Sequence, residues 1–142
     1  METHRPIDFK KIISKLMKKI INTPNAPAPI GPYSQAVLVN NMLFASGQIA
    51  IDPATGNIID KSIEEETHQV MKNIKAVLDA AEMTFDDIVK TSIFLSDMDF
   101  FGKVNETYGQ YFNADYPARE TVAVKTLPKN VNVEISITAF KS

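Results

Sequence analysis

Two charged residues of the sequence are placed where they could bind and act on a small acid. Arg119 follows the turn at Pro117 and precedes an apolar run that we predict to be a strand. Its planar guanidinium could bind a carboxylate through two parallel hydrogen bonds, although an arginine at a strand entrance is more often a solvated surface residue. Glu134 lies between Val133 and Ile135, so its carboxylate either faces solvent or is held for chemistry. The residues alone leave both alternatives open.

Two further segments carry candidate binding residues near the start of the predicted domain. The run Gly31-Pro32-Tyr33-Ser34-Gln35 is typical of a turn, but a tyrosine in such a loop could equally hold a ligand. Ser46-Gly47-Gln48 interrupts an apolar strand. Glycine at such a point indicates a bulge or a close approach of the backbone, and both features occur at ligand sites.

Composition excludes several kinds of chemistry. The chain has 142 residues, no cysteine, two histidines and a net charge of −2. A thiol nucleophile, a thiolate metal site and a nucleic-acid-binding surface spread over the whole protein are therefore not expected. His68 is interpreted as a surface residue, and no histidine adjoins a plausible nucleophile as a Ser-His-Asp triad requires. The turn at residues 53–57 lacks the spacing of a phosphate-binding loop.

The elements that must position these residues follow the order β-β-α-β-α-β-β. Ser62 and Glu65 have capping-box spacing at the start of a helix, and Asn40-Asn41 is a plausible two-residue hairpin turn. We predict strands at residues 35–39, 42–49, 88–95, 121–125 and 131–140, and a second helix at 100–112. This order predicts an α+β two-layer domain with both helices on one face of a mixed sheet. The other face carries apolar and polar residues together, so we expect other subunits to cover it.

The first 21 residues differ in composition from the rest. They carry a charge of +4 against −6 for residues 22–142, and we divide the chain there into an N-terminal extension and a domain. A basic amphipathic helix is predicted, whose apolar stripe consists of Phe9, Ile12, Ile13, Leu16, Met17 and Ile20. Three hypotheses stay open for it: docking on the acidic body of its own oligomer, an anionic membrane surface, or a disordered start. Of the three we favour docking on the oligomer. We do not expect stable association with a membrane. Because no apolar run has the length of a membrane span and no secretory signal is visible, we expect a cytoplasmic protein.

Several segments together resemble the RidA/YjgF family of small trimeric deaminases. They occur in order and at the family's spacing over essentially residues 21–140: NAPAPIGPYSQA at 25–36, SGQI at 46–49, DIVKT at 87–91, VNETY at 104–108, YPAR at 116–119, LPK at 127–129 and VEI at 133–135. The resemblance implies a chorismate-mutase-like α+β fold and a homotrimer whose sheets form a central barrel, with three clefts between subunits. It also implies hydrolysis of reactive 2-imino acids, or their enamine tautomers, to 2-keto acids and ammonia. Examples are 2-iminobutanoate and 2-iminopropanoate, and no cofactor or metal is used.

The resemblance also assigns roles to individual residues. The carboxylate-binding arginine falls on Arg119, and the glutamate that positions or activates water falls on Glu134. The substrate-binding positions fall on Tyr33, Ser46, Gly47, Asn105 and Thr121. Thr121 is a departure, because the family commonly has cysteine there, and it puts the substrate range in question.

A second function on the same scaffold is a non-catalytic module that binds small molecules or acts as a chaperone. Retention of Arg119 favours the enzyme, since a pure binding module would not need it. A ribonuclease is disfavoured, because the net charge is negative and the domain contains one histidine, His68, rather than an acid–base pair.

Overall fold

The computed structural model describes residues 4–142, with the side chains of residues 14–16 left out. Over that range the chain forms three α-helices and one six-stranded sheet. In chain order these are α1 (Phe9–Leu16), β1 (Lys19–Ile21), β2 (Ala36–Val39), β3 (Met42–Ala45), α2 (Ile63–Ala80), β4 (Ile88–Leu95), α3 (Phe101–Gly109), β5 (Ala118–Ala123) and β6 (Val133–Phe140). None of the helices in the described part of the chain is long and apolar enough to cross a membrane.

The sheet has the strand order β1-β2-β3-β6-β4-β5. Neighbouring strands are antiparallel except β4 and β5, which run parallel at one edge. Helices α2 and α3 pack on one face over a shared hydrophobic core. The prediction of an α+β domain with a mixed sheet is therefore confirmed.

Strand β6 shows why the sequence predicts the sidedness of the sheet well. Its residues alternate strictly, so that Val133, Ile135, Ile137 and Ala139 are buried against the helices while the residues between them lie on the other face. The hairpin prediction is confirmed too, because Asn40 and Asn41 both have positive φ, 47° and 68°. The helix start is confirmed in that the Ser62 hydroxyl accepts a hydrogen bond of 3.1 Å from the Glu65 amide.

The predictions for the second helix, for strand β5 and for His68 need correction. The second helix is shorter than residues 100–112, because a 3₁₀ turn precedes Phe101 and α3 ends at Gly109. Strand β5 begins at Ala118 rather than Thr121, since it pairs with β4 from its first residue, so Arg119 lies inside the strand. His68 is half-buried rather than on the surface, because its Nδ1 atom is 2.7 Å from the Tyr111 hydroxyl oxygen.

The N-terminal helix also ends earlier than predicted. It stops at Leu16, whose side chain lies outside the described residues, and Lys19–Ile21 form strand β1 paired with β2. Ile20 therefore belongs to a strand, because backbone pairing with the sheet edge prevails over helical periodicity. The apolar side chains of Phe9, Ile12 and Ile13 stay exposed, so this described part of the stripe does not dock on its own subunit, and docking on an oligomer stays a prediction. The division of the chain after Ile21 stays a prediction.

The face of the sheet away from the helices carries large exposed apolar side chains. Phe44, Val122 and Phe140 are 49%, 44% and 43% exposed. Their strand partners place them on the same side as Glu134 and Thr138. An apolar patch of this kind typically marks a surface that another chain covers.

Candidate functional site

Arg119 is held in place by one face of α3. Its Nη1 atom donates a hydrogen bond of 2.6 Å to the Asn105 side-chain oxygen. The guanidinium carbon lies 5.6 Å from the ring centre of Phe101 and 5.2 Å from that of Tyr108, distances that favour cation–π attraction. These three α3 residues are spaced by four and three positions, so they share a helix face. Within residues 4–142 the guanidinium is thereby fixed without an acidic partner.

Arg119 lies next to a buried hydrogen bond between two side-chain hydroxyls. In the parallel pairing of β4 with β5, Arg119 lies beside Thr91, whose hydroxyl shares a hydrogen bond of 2.9 Å with that of Tyr108. Burial raises the pKa of the Tyr108 hydroxyl, while the hydrogen bond to Thr91 and the charge of Arg119 oppose that rise. The phenol is therefore neutral and serves as a fixed support for the guanidinium.

An open cleft of about 680 Å³ lies in front of this arginine. It is lined by residues of α3 and of the turn before β5, among them Asn105, Tyr108, Tyr116, Pro117 and Arg119. Arg119 is exposed, and the bond to Asn105 uses one of its five N–H donors. The remaining fork is available for a planar anion such as a carboxylate.

Glu134 stands against Gly47. A Cβ atom added to Gly47 would lie 2.7 Å from Glu134 Oε1 and 2.8 Å from Cδ, so only glycine leaves the carboxylate where it is. Backbone hydrogen bonds of 2.8 and 3.1 Å between Gln48 and Ile135 hold the two segments together. The interruption of the strand at Ser46-Gly47-Gln48 is therefore a close approach of backbone to side chain, as predicted.

The cleft around Glu134 is small and mostly apolar. Glu134 and Tyr33 are its titratable lining residues, and the others include Pro27, Ile30 and Pro128. Burial raises the pKa of the Glu134 carboxyl above its ordinary value. A carboxylate with a raised pKa is a better proton acceptor than a solvated one, which suits a general base.

Ser46 and Thr121 are placed differently from the other candidates. The Ser46 hydroxyl donates a hydrogen bond of 2.6 Å to the Ser34 carbonyl, so it ties the loop that carries Tyr33 to β3. Thr121 pairs with Ile93 on the same side of the sheet as Arg119, and its hydroxyl is buried without a partner among the described residues.

The structure does not bring all the candidates together within one chain. Asn105 and Arg119 share one cleft, whereas Tyr33, Gly47 and Glu134 share the other. Arg119 pairs with Thr91 on the helix side, whereas Glu134 pairs with Phe94 on the opposite side. Their partners on β4 are three positions apart, about 10 Å along the strand, and β5 and β6 flank β4 on opposite sides, which adds about 9.5 Å across the sheet. The candidate residues of one chain therefore lie in two separate clefts.

Sequence reasoning missed the aromatic residues that support Arg119. Phe101 and Tyr108 have the spacing of an ordinary apolar helix face, and nothing in that pattern separates a core residue from a support for a cation. Metal chemistry finds no support either: in residues 4–142 no group of three or more His, Asp or Glu side chains is arranged to hold an ion.

Comparison with known proteins assigns the chain to a family. The profile of the endoribonuclease L-PSP family matches residues 23–141. A RutC family protein of Pyrococcus horikoshii is 50% identical over 125 residues, which are 88% of this chain and 99% of that protein. The human 2-iminobutanoate/2-iminopropanoate deaminase is 43% identical over 129 residues, 91% of this chain and 94% of the relative.

The fold agrees with this assignment. The crystal structure of the yjgF gene product of E. coli superimposes with a TM-score of 0.84 at 43% identity, over 87% of this chain and 99% of that one. Its strands and helices therefore correspond to those described above over almost its whole length. From the sequence match, the α+β fold and the shared arrangement of the sheet, we conclude that this chain belongs to the endoribonuclease L-PSP family, which includes the RutC and YjgF proteins.

Proposed function

We propose that this protein hydrolyses 2-imino acids, such as 2-iminobutanoate and 2-iminopropanoate, to 2-keto acids and ammonia. The observation that carries the proposal is the Arg119 guanidinium, which Asn105, Phe101 and Tyr108 fix at the wall of an open cleft. Such a fork recognises a carboxylate, the group that all 2-imino acids share. The 43% identity to a human protein named for this reaction supports the same substrate class.

The reaction requires little beyond orientation and a proton acceptor. Arg119 binds the substrate carboxylate and so fixes the direction from which water reaches the imine carbon. Glu134 takes a proton from that water as its oxygen bonds to the carbon and passes it to the imine nitrogen, which gives a neutral carbinolamine. Glu134 then takes the hydroxyl proton of the carbinolamine and delivers it to the amine nitrogen as the C–N bond breaks, so the keto acid and ammonia leave and the carboxylate is regenerated. In this scheme no step needs a cofactor.

We also propose a homotrimer with sites between subunits, and the separation of the candidate residues into two clefts supports it. A ligand bound to Arg119 on the helix side of one sheet cannot reach Glu134 of the same chain on the other side. A neighbouring subunit whose exposed sheet face packs against the β5 edge could bring its own Glu134, Gly47 and Tyr33 to that ligand. The exposed Phe44, Val122 and Phe140 provide apolar area for such an interface.

The test is a coupled assay in which threonine dehydratase supplies the imine and keto-acid formation is followed with and without this protein. We expect a faster appearance of the keto acid than by spontaneous hydrolysis. A folded protein that binds 2-ketobutanoate but does not accelerate the reaction would instead indicate a binding module. In that case the hydrolytic proposal fails.

The first prediction concerns Arg119. We expect Arg119→Lys to lower kcat/KM on the order of a hundredfold, because lysine keeps the charge but cannot form the two parallel hydrogen bonds. Arg119→Ala should be nearly inactive. Steady-state kinetics on folded, correctly assembled protein give the comparison, with Lys103→Ala on the exposed side of α3 as the control. Full activity of the lysine variant would rule out the two-pronged anchor.

The second prediction concerns Glu134. We expect Glu134→Gln to lower kcat on the order of a hundredfold with little change in product binding, because glutamine cannot accept the proton. Burial raises the pKa of the Glu134 carboxyl, so wild-type activity should fall with decreasing pH at a higher pH than an ordinary glutamate would give. A kcat that is equal in the two proteins at every pH would leave Glu134 a structural residue.

Glu134→Gln should lower kcat but raise the stability of the folded protein at a pH where the wild-type carboxyl is ionised. An acid whose pKa is raised in the folded state stabilises it when protonated, and this stabilisation is lost as pH rises through the folded pKa. Above the folded pKa the half-buried carboxylate is ionised and costs free energy, so Glu134→Gln should raise the melting temperature there. Below the ordinary glutamate pKa the two proteins should melt alike. A melting temperature of the Gln variant that lies below that of wild type as pH rises would contradict the assignment.

The third prediction concerns Gly47. An alanine Cβ would lie 2.7 Å from Glu134 Oε1, so Gly47→Ala must displace the carboxylate, and we expect kcat to fall about tenfold with KM nearly unchanged. Gly102→Ala is the matched control, because a Cβ there meets no atom within 4 Å. Equal kinetics for the two alanine variants would show that the position of Glu134 does not matter.

A further inference from the structure

Glu66 is a fully buried carboxylate that none of the steps above uses. It lies on α2 with 0% of its surface exposed. Its Oε2 atom accepts hydrogen bonds from the backbone amides of Asn132, at 2.8 Å, and Val133, at 3.0 Å. Its Oε1 atom accepts a third, of 2.9 Å, from the Asn132 side-chain amide. A buried carboxylate is tolerated when donors replace the water it has lost, and here all three donors come from the start of β6.

The residues that Glu66 holds are those directly before Glu134. Asn132 is also tied to the end of β4, because its carbonyl accepts a hydrogen bond of 3.0 Å from the Ser96 amide and its side-chain oxygen one of 3.1 Å from the Ser96 hydroxyl. On the far side of Glu134, Ile135 is bonded to Gln48. The backbone of Glu134 is therefore fixed on both sides, and on the upstream side the fixing group is the Glu66 carboxylate.

We propose that Glu66 is a positioning residue for Glu134, holding the start of β6 so that the Glu134 carboxylate stays against Gly47. This inference rests on the proposed function, in which Glu134 acts on water. The two carboxylates lie on opposite sides of the sheet, so Glu66 acts through the β6 backbone and not by contact with the substrate. Loss of the Glu66 carboxylate leaves two backbone amides and one side-chain amide without their acceptor. The start of β6 must then move so that these amides can bond to water.

Two substitutions separate the effect of the hydrogen-bond acceptor from the effect of the volume that the Glu66 side chain fills. Glu66→Gln keeps an oxygen that can accept from both backbone amides, and the Asn132 side chain can turn to pair with the new amide group. Glu66→Met has similar length and helix preference but accepts no hydrogen bond of this strength. Thr67→Val is the matched control, because Thr67 is also 0% exposed but its hydroxyl bonds to Ile63 of its own helix.

The experiment measures kcat and KM per folded protein for these variants, together with the pKa of Glu134 by carbon-13 NMR. We expect Glu66→Met to lower kcat about tenfold while KM, set by Arg119, changes less than about twofold. The pKa of the Glu134 carboxyl should fall towards its ordinary value as the carboxylate moves into water; Tyr33 is the other titratable residue of its cleft. Glu66→Gln should recover most of the kcat, and Thr67→Val should change neither readout.

A purely structural role for Glu66 would lower the folded fraction and leave kcat per folded protein and the pKa of Glu134 unchanged, and that result overturns the proposal. If Glu66→Met does not fold, Asn132→Ala decides, since it removes one of the three donors and should shift both readouts part of the way. An inactive wild-type protein would refute the proposed function, and the pKa arm would then still decide whether Glu66 positions Glu134.

Discussion

The alternation of side chains along a strand is the constraint on which the rest of this structure depends. It places Arg119 on the helix side of the sheet, where α3 can hold the guanidinium with a hydrogen bond of 2.6 Å and two aromatic rings. It places Glu134 on the opposite side, where Gly47 leaves room for its carboxylate. Because the backbone fixes this sidedness, no side-chain rotation can unite the two groups within one chain. A neighbour's surface is the simplest means of joining them.

Buried polar side chains of α2 hold the two chain segments that line the Glu134 cleft. Glu66 holds the start of β6, and the Asn73 side chain donates hydrogen bonds of 3.0 and 2.9 Å to the carbonyls of Ile49 and Ile51, just after Gly47. Both segments of that cleft are therefore attached to one helix inside the core. Such support matters for a site that orients a substrate, because small displacements of the reacting groups are costly.

Sequence reasoning succeeded where a local pattern has one structural meaning. The alternation of buried residues from Val133 to Ala139 has one structural meaning, a strand with one face in the core, and Asn40-Asn41 predicted the hairpin. It failed where a long-range contact decides. Nothing local shows that Lys19–Ile21 pair with β2, that Phe101 and Tyr108 support a cation, or that Glu66 is the acceptor for amides sixty-six and sixty-seven residues away. The family resemblance supplied the site residues that the spacing alone left open.

Mixing two inactive variants tests most directly whether the site is assembled from two subunits. Arg119→Ala and Glu134→Gln chains would be co-expressed with different tags, and mixed trimers isolated by both tags and verified by sedimentation. If each site takes Arg119 from one chain and Glu134 from the next, every isolated mixed trimer has one intact site of its three, and activity should recover to about a third of wild type. Mixed trimers as inactive as either parent would contradict the account and place both residues in a site within one chain.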